Sequence, residues 1–193
     1  MMKSWHRYAL GLVVGLGVGG ALAWHATGDA FRSGAVRNGV WSTSLDYGTK
    51  SGDALTRAAV ARRGLLALPK EETVYWAAST DSNGARLSGN CTYRLVGGAV
   101  DSRWWSITIY DAEGYLMPNK ANIWSFSSAS LGAGDLPKWS VTISPEAPKV
   151  GHWLPSTRGK PFELTLRMYN PGAGFRADVA RAPLPELVKE ACA

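Results

Sequence analysis

Apolar positions change their period twice along this chain, and each change marks a different kind of element. Residues Tyr8–Trp24, YALGLVVGLGVGGALAW, are apolar on every side and carry no charge. At ~1.5 Å rise per residue such a helix would reach about 25 Å, close to the ~30 Å hydrocarbon core of a bilayer. Two readings are open. One is an uncleaved membrane anchor, with Trp5, Tyr8 and Trp24 at interface depth. The other is a secretory signal with Ala21-Leu22-Ala23 as its cleavage site. The rings at both ends and the bulky Trp24 favour the anchor, and either reading exports the rest. Gly11, Gly15 and Gly19 share one helical face, the small-residue pattern of close helix pairing, although Gly17 and Gly20 spread glycine to other faces.

Residues 26–72 are expected to be a tether and a short amphipathic helix packed on the domain. In SGDALTRAAVARRGLLALP, Asp53 is an N-cap, Leu55, Ala58, Ala59, Arg62, Leu65 and Leu66 keep helical spacing, and Pro69 closes the helix. From residue 73 onward the period becomes two. TVYWAAS, CTYRLV, RWWSITIY, NIWSFSS, KWSVTIS and FELTLRMY read as short strands, with DSNG and DAEG as hairpin turns. Asp81-x-Asn83-Gly84 lacks the later carboxylates of a calcium loop, so it reads as a turn. The C-terminal APLPELVKEACA is a short helix or an extended strap. The expected fold is mainly β: an antiparallel β-sandwich or jelly roll over 73–193, behind an N-terminal membrane segment over 1–25.

Alternation also assigns faces. Arg103, Trp105, Ile107, Ile109 and Asp111 point one way, and Trp104, Ser106, Thr108 and Tyr110 the other. Phe162, Leu164, Leu166 and Met168 oppose Glu163, Thr165, Arg167 and Tyr169, and Trp139, Val141 and Ile143 oppose Ser140, Thr142 and Ser144. The isoleucine- and leucine-rich sets are the core. The other face mixes hydroxyls, rings and arginine. It can stack and hydrogen-bond a sugar, or be covered by the 53–67 helix and the tether, and the covered arrangement is the expected one.

Nine tryptophans and seven tyrosines in 193 residues suit a β-sandwich core or a carbohydrate surface. The net charge is +6, but the positive charges are dispersed and never interleave with aromatics, so nucleic acid is not an expected partner. The two cysteines, Cys91 and Cys192, have no metal-ligand spacing. In an oxidising compartment they are expected to form one disulfide closing a loop of about 100 residues.

Three stretches carry a family resemblance: YWAASTDSNGARLSGNCTYRL, WWSITIYDAEGYLMPNKANIWSF and, most specifically, HWLPSTRGKPFELTLRMYNP. Together they resemble the bacterial family known as domain of unknown function 1214, over residues 74–172. AVRNGVW and TRAAVARRGLLAL resemble the N-terminal part of its short, single-anchor proteobacterial members. The resemblance implies a β-sandwich in the cell envelope, at the inner membrane with its domain in the periplasm, and no established activity. Longer relatives carry a second uncharacterised domain first, and residues 25–70 are too few to contain it. Trp153, Leu154, Pro155, Arg167 and Tyr169 match the family motif. Ser88, Ile123 and His152 depart from it, where Asp, Arg and Asn are usual, which argues against a fixed catalytic constellation.

The chemical inventory is thin. No nucleophile elbow, zinc-protease helix or phosphate loop is present, and no metal or cofactor is expected. A hydrolase acting on envelope material would use His152 with a carboxylate such as Asp111, Glu113, Asp135, Glu146 or Glu163. The favoured expectation is a non-catalytic binding or scaffold module for envelope glycan, lipid or protein, with Trp104, Trp124, Trp153, Arg167 and Tyr169 as ligand-binding candidates.

Overall fold

A computed structural model describes residues 4–32, 36–132 and 134–192. The all-round apolar run lies within α1 (Ser4–Arg32), a helix of 29 residues and so longer than the uncharged stretch. Its segment Ser4–Gly28 is long and apolar enough to cross a membrane. Gly11, Gly15 and Gly19 lie on its exposed surface, and Lys3 lies outside the described residues.

Among the described residues ten strands form two sheets. The first six are β1 (Val36–Asn38), β2 (Trp41–Thr43), β3 (Thr73–Ala78), β4 (Cys91–Gly98), β5 (Ser102–Asp111) and β6 (Ser125–Ser127). β7 (Lys138–Ser144), β8 (His152–Pro155), β9 (Phe162–Pro171) and β10 (Glu186–Cys192) follow. One sheet has the order β1-β2-β3-β9-β5-β6, the other β10-β4-β7-β8. The β-sandwich expectation holds with two refinements. β7 and β8 run parallel, so the smaller sheet is mixed. A jelly roll has eight strands in two Greek keys, and these ten strands do not establish one.

The alternation of the sequence is the alternation of the sandwich. Trp105, Ile107 and Ile109 on β5, Leu164, Leu166 and Met168 on β9, and Val141 and Ile143 on β7 are all buried in one core. Each fully buried aliphatic side chain of this kind contributes about 1.5–3 kcal/mol. Trp105 stacks on Trp139 at 4.7 Å between ring centroids, joining the two sheets. Gly97, on the strand beside Trp139, has the indole ring lying where a Cβ would stand.

α2 (Ala54–Arg62) begins where expected, with Asp53 Oδ1 accepting Thr56 N at 2.7 Å. It stops five residues short of the expected 53–67 helix, because Gly64 turns the chain with φ +59°. Leu65–Pro69 then runs on as an irregular segment held by Tyr75, whose hydroxyl accepts from Leu68 N at 3.1 Å and donates to Leu66 O at 3.3 Å. The C-terminal segment is a strand: β10 pairs antiparallel with β4, Cys192 opposite Cys91, and the two form the expected disulfide. A short helix α3 (Ala173–Ala177) follows β9. Asp101 caps it by accepting Phe175 N at 2.7 Å.

Candidate functional site

The outer face of the six-stranded sheet is built in rows fixed by strand register. Trp104 stands opposite Tyr169, Ser106 opposite Arg167, Thr108 opposite Thr165, and Tyr110 opposite Glu163. On its other side β9 pairs with β3, which places Tyr75 beside Arg167 and Ala77 beside Thr165.

Cover reaches only part of this face. α2 lays Ala59 onto Tyr47, Tyr75 and Ala77, with Val60, Leu65 and Ala67 around them. Burial there pushes the Tyr47 phenol up to about 12, against the opposing pull of the Arg63 guanidinium. Arg63, at the end of α2, reaches Glu163 at 2.8 Å in a pair that is almost wholly shielded from water. Beyond it the helix has ended. A groove of about 150 Å³ opens there, bounded by Arg63, Gly64 and Leu65 on one side and by Tyr110, Thr165 and Arg167 on the other.

Arg167 is the centre of this groove. Its guanidinium donates to Thr108 Oγ1 at 3.1 Å and to Tyr110 Oη at 2.7 Å, and lies 5.6 Å from the centroid of the Tyr110 ring. Glu163 is taken by Arg63, and among the described residues no carboxylate pairs with Arg167. The hydroxyls use two of the five N–H donors of its fork and supply no countercharge. One row further along, Trp104 and Tyr169 meet with ring centroids 5.2 Å apart, and Trp104 is 38% exposed. The expected cover of the polar face therefore holds at Ser106, Thr108, Glu163 and Thr165, which are buried, and fails at Trp104.

The structure brings together Trp104, Arg167 and Tyr169 of the five expected binding residues. Trp153 points from β8 to the outer face of the other sheet, opposite to buried Leu154, and donates its indole N–H to Ser144 O at 3.0 Å. Trp124 precedes β6, half-buried, its carbonyl accepting Ile109 N at 3.0 Å. His152 shares the core-facing side of β8 with Leu154 and packs on Phe126 at 5.0 Å. Asp111 Oδ1 accepts Glu113 N and Tyr115 N in its turn, at 3.1 and 2.8 Å. Exposed Glu146 pairs with Arg158 at 2.6 Å. Among the described residues, no three His, Cys, Asp or Glu side chains are grouped to hold a metal. Tyr110 and Thr108 join the site without having been singled out; their signal was their place on the polar side of β5, opposite an arginine-bearing strand.

A larger recess, of about 500 Å³, lies between the β1–β2 turn and the segment leading into β10. Its polar groups bond one another: Trp41 Nε1 donates to Pro185 O and Asn38 Nδ2 to Ala182 O, both at 2.7 Å. These two bonds make it a seam between the edges of the two sheets.

A family model described as "Protein of unknown function (DUF1214)" matches residues 72–173. Among solved structures, the VPA0106 protein from Vibrio parahaemolyticus is similar at 22% identity and a TM-score of 0.58, over 73% of this chain and 36% of that one. An uncharacterized protein from Burkholderia cenocepacia is 12% identical with a TM-score of 0.42, over 61% of this chain and 30% of that one. The chain thus spans about a third of the length of each structure, and the Vibrio likeness is one of fold. No curated protein matches.

Proposed function

The chain belongs to the DUF1214 family, and from that premise and the geometry of the groove we propose a membrane-anchored, non-catalytic binding module of the bacterial cell envelope. In this reading α1 stays in the inner membrane and the sandwich faces the periplasm, where the Cys91–Cys192 disulfide is at home. The ligand is an anionic, hydroxyl-bearing group, such as a sugar acid or a phosphorylated polyol. The observation that carries the reading is Arg167, held in place by two hydroxyls, with no carboxylate partner among the described residues, and lining the groove. A bidentate carboxylate or phosphate satisfies such a fork. Trp104 and Tyr169 supply ring surface one row away for the apolar face of a sugar. The alternative, hydrolysis by His152 with a carboxylate, has less behind it: His152 packs on Phe126 and lines none of the cavities described above.

The test is calorimetric titration of the full-length protein in detergent with glycerol 3-phosphate and with N-acetylmuramic acid. Saturable binding of either is expected, abolished in Arg167→Gln and kept in Arg94→Gln, which alters an exposed arginine on the other sheet. The probe that binds separates phosphate from sugar carboxylate. No saturable binding, or binding that Arg167→Gln leaves intact, overturns the reading.

A further inference from the structure

We propose that α2 and the Leu65-Leu66 bend lie in the headgroup layer of the bilayer, seating the outer face of the six-stranded sheet at the membrane surface. This rests on the reading of α1 as a retained anchor. The uncharged run of α1, Tyr8–Trp24, makes about 25 Å of helix against a ~30 Å hydrocarbon core, so Trp24 and the turn that follows it lie at the level of the headgroups. That turn is where α2 is fastened. The Arg62 guanidinium lies 3.6 Å from the centroid of the Trp24 ring, donates to the Trp24 carbonyl and to Thr27 Oγ1, and approaches Gly28 where a side chain would stand.

The sidedness of α2 fits the same place. Ala59 and Val60 face the sheet. Leu55, Ala58, Ala61 and Leu66 are turned outward together with Arg57 and Arg62, and Leu66 is 89% exposed. Single exposed leucines are ordinary. Several apolar side chains and Arg57 on the free side of a helix fastened to a membrane span through Arg62 are the pattern of an interfacial helix. Asp53 is the one carboxylate between residues 53 and 66, against three arginines, so the segment carries a net positive charge that suits an anionic headgroup layer. The Arg167 groove starts where α2 ends, and this seat brings it to the membrane surface.

The experiment places one free thiol at a time in the disulfide-intact, full-length protein: Leu66→Cys, Val150→Cys in the β7–β8 loop of the other sheet, and Leu12→Cys within the span. Each is labelled with a fluorophore and reconstituted into phosphatidylethanolamine–phosphatidylglycerol vesicles containing nitroxide-bearing lipid. Expected is loss of most emission at positions 66 and 12, with position 150 unchanged. Quenching at 12 but not at 66 overturns the seat and leaves the anchor standing. No quenching at 12 overturns both.

Discussion

Lys189 Nζ lies 3.4 Å from Asp81 Oδ2, joining the inward side of β10 to the turn that leaves β3. Asp81 is shielded from solvent, yet its other oxygen accepts both Asn83 N and Ala85 N at 3.0 Å. Burial pushes its pKa up, but the two backbone donors and Lys189 outweigh that and hold the carboxyl below its ordinary value. The folded pKa is therefore below the unfolded one of ~3.9. The stabilisation is complete at neutral pH and is lost as the pH falls below about 4, through the folded pKa. Asp81→Ala takes the acceptor from the Asn83 and Ala85 N–H groups and the partner from Lys189, and is expected to cost about 1–3 kcal/mol at pH 7. Asp81→Asn keeps an acceptor, costs less, and flattens the acid side of a urea-unfolding pH profile. A profile that keeps its acid slope in Asp81→Asn would assign that slope to other carboxylates.

Gly97 is the second place where one residue type is demanded. The Trp139 indole occupies the volume of an absent Cβ, and its N–H is tied to Gly98 O at 2.9 Å. Because Trp139 also stacks on Trp105, it cannot swing aside without opening the core. Gly97→Ala is expected to destabilise by about 1–3 kcal/mol, the range for overpacking. Near-ultraviolet circular dichroism of the tryptophans should change with it; an unchanged spectrum and stability would mean that the indole has room to move.

The parts of this fold legible in the sequence were those set by local periodicity. The core faces of β5, β7 and β9 followed from period-two alternation, the start of α2 from Asp53, and the disulfide from two cysteines behind an apolar N-terminal segment. What was not legible depended on register between distant strands. Arg167 meets Tyr110 and Thr108 only because β9 pairs with β5 at Ser106↔Arg167. A shift by two residues would keep every face and dissolve the site. The parallel β7–β8 pair was hidden for the same reason. The early end of α2 turned on Gly64 against five further residues of good helical spacing, a contest that Tyr75 settles by holding Leu66 and Leu68.

Reduction should act on β10 before the rest of the sandwich. The Cys91–Cys192 bridge spans 101 residues, and removing a native bridge of this kind typically costs about 2–5 kcal/mol. For a chain of this size that lowers Tm by roughly 4–20 °C. The Asp81–Lys189 contact and the Leu187 side chain, buried in the core, still hold the strand, so the protein is expected to remain folded at 25 °C. Hydrogen exchange should show residues 186–192 losing protection first. Uniform loss across both sheets would show that the bridge holds the whole sandwich rather than its last strand.

Tyr47 reports how firmly α2 closes its half of the outer face. Its phenol is pushed up to about 12 by burial, and Arg63 draws it down; an unfolded tyrosine ionises near ~10. Below pH 10 both states keep the proton and stability is unaffected. Between 10 and 12 the unfolded chain releases it while the folded chain holds it, so stability falls as pH rises. The loss approaches roughly 2–3 kcal/mol by pH 12. Tyr47→Phe keeps the ring between Ala59 and Tyr75 and removes this titration. The difference between wild-type and variant unfolding free energies, measured from pH 9 to 12, isolates it from the lysines and arginines that both proteins share. Parallel curves would mean that Tyr47 ionises in the folded protein as freely as in the unfolded one. α2 would then lie loosely on the sheet, and the Arg63 wall of the Arg167 groove would be mobile too.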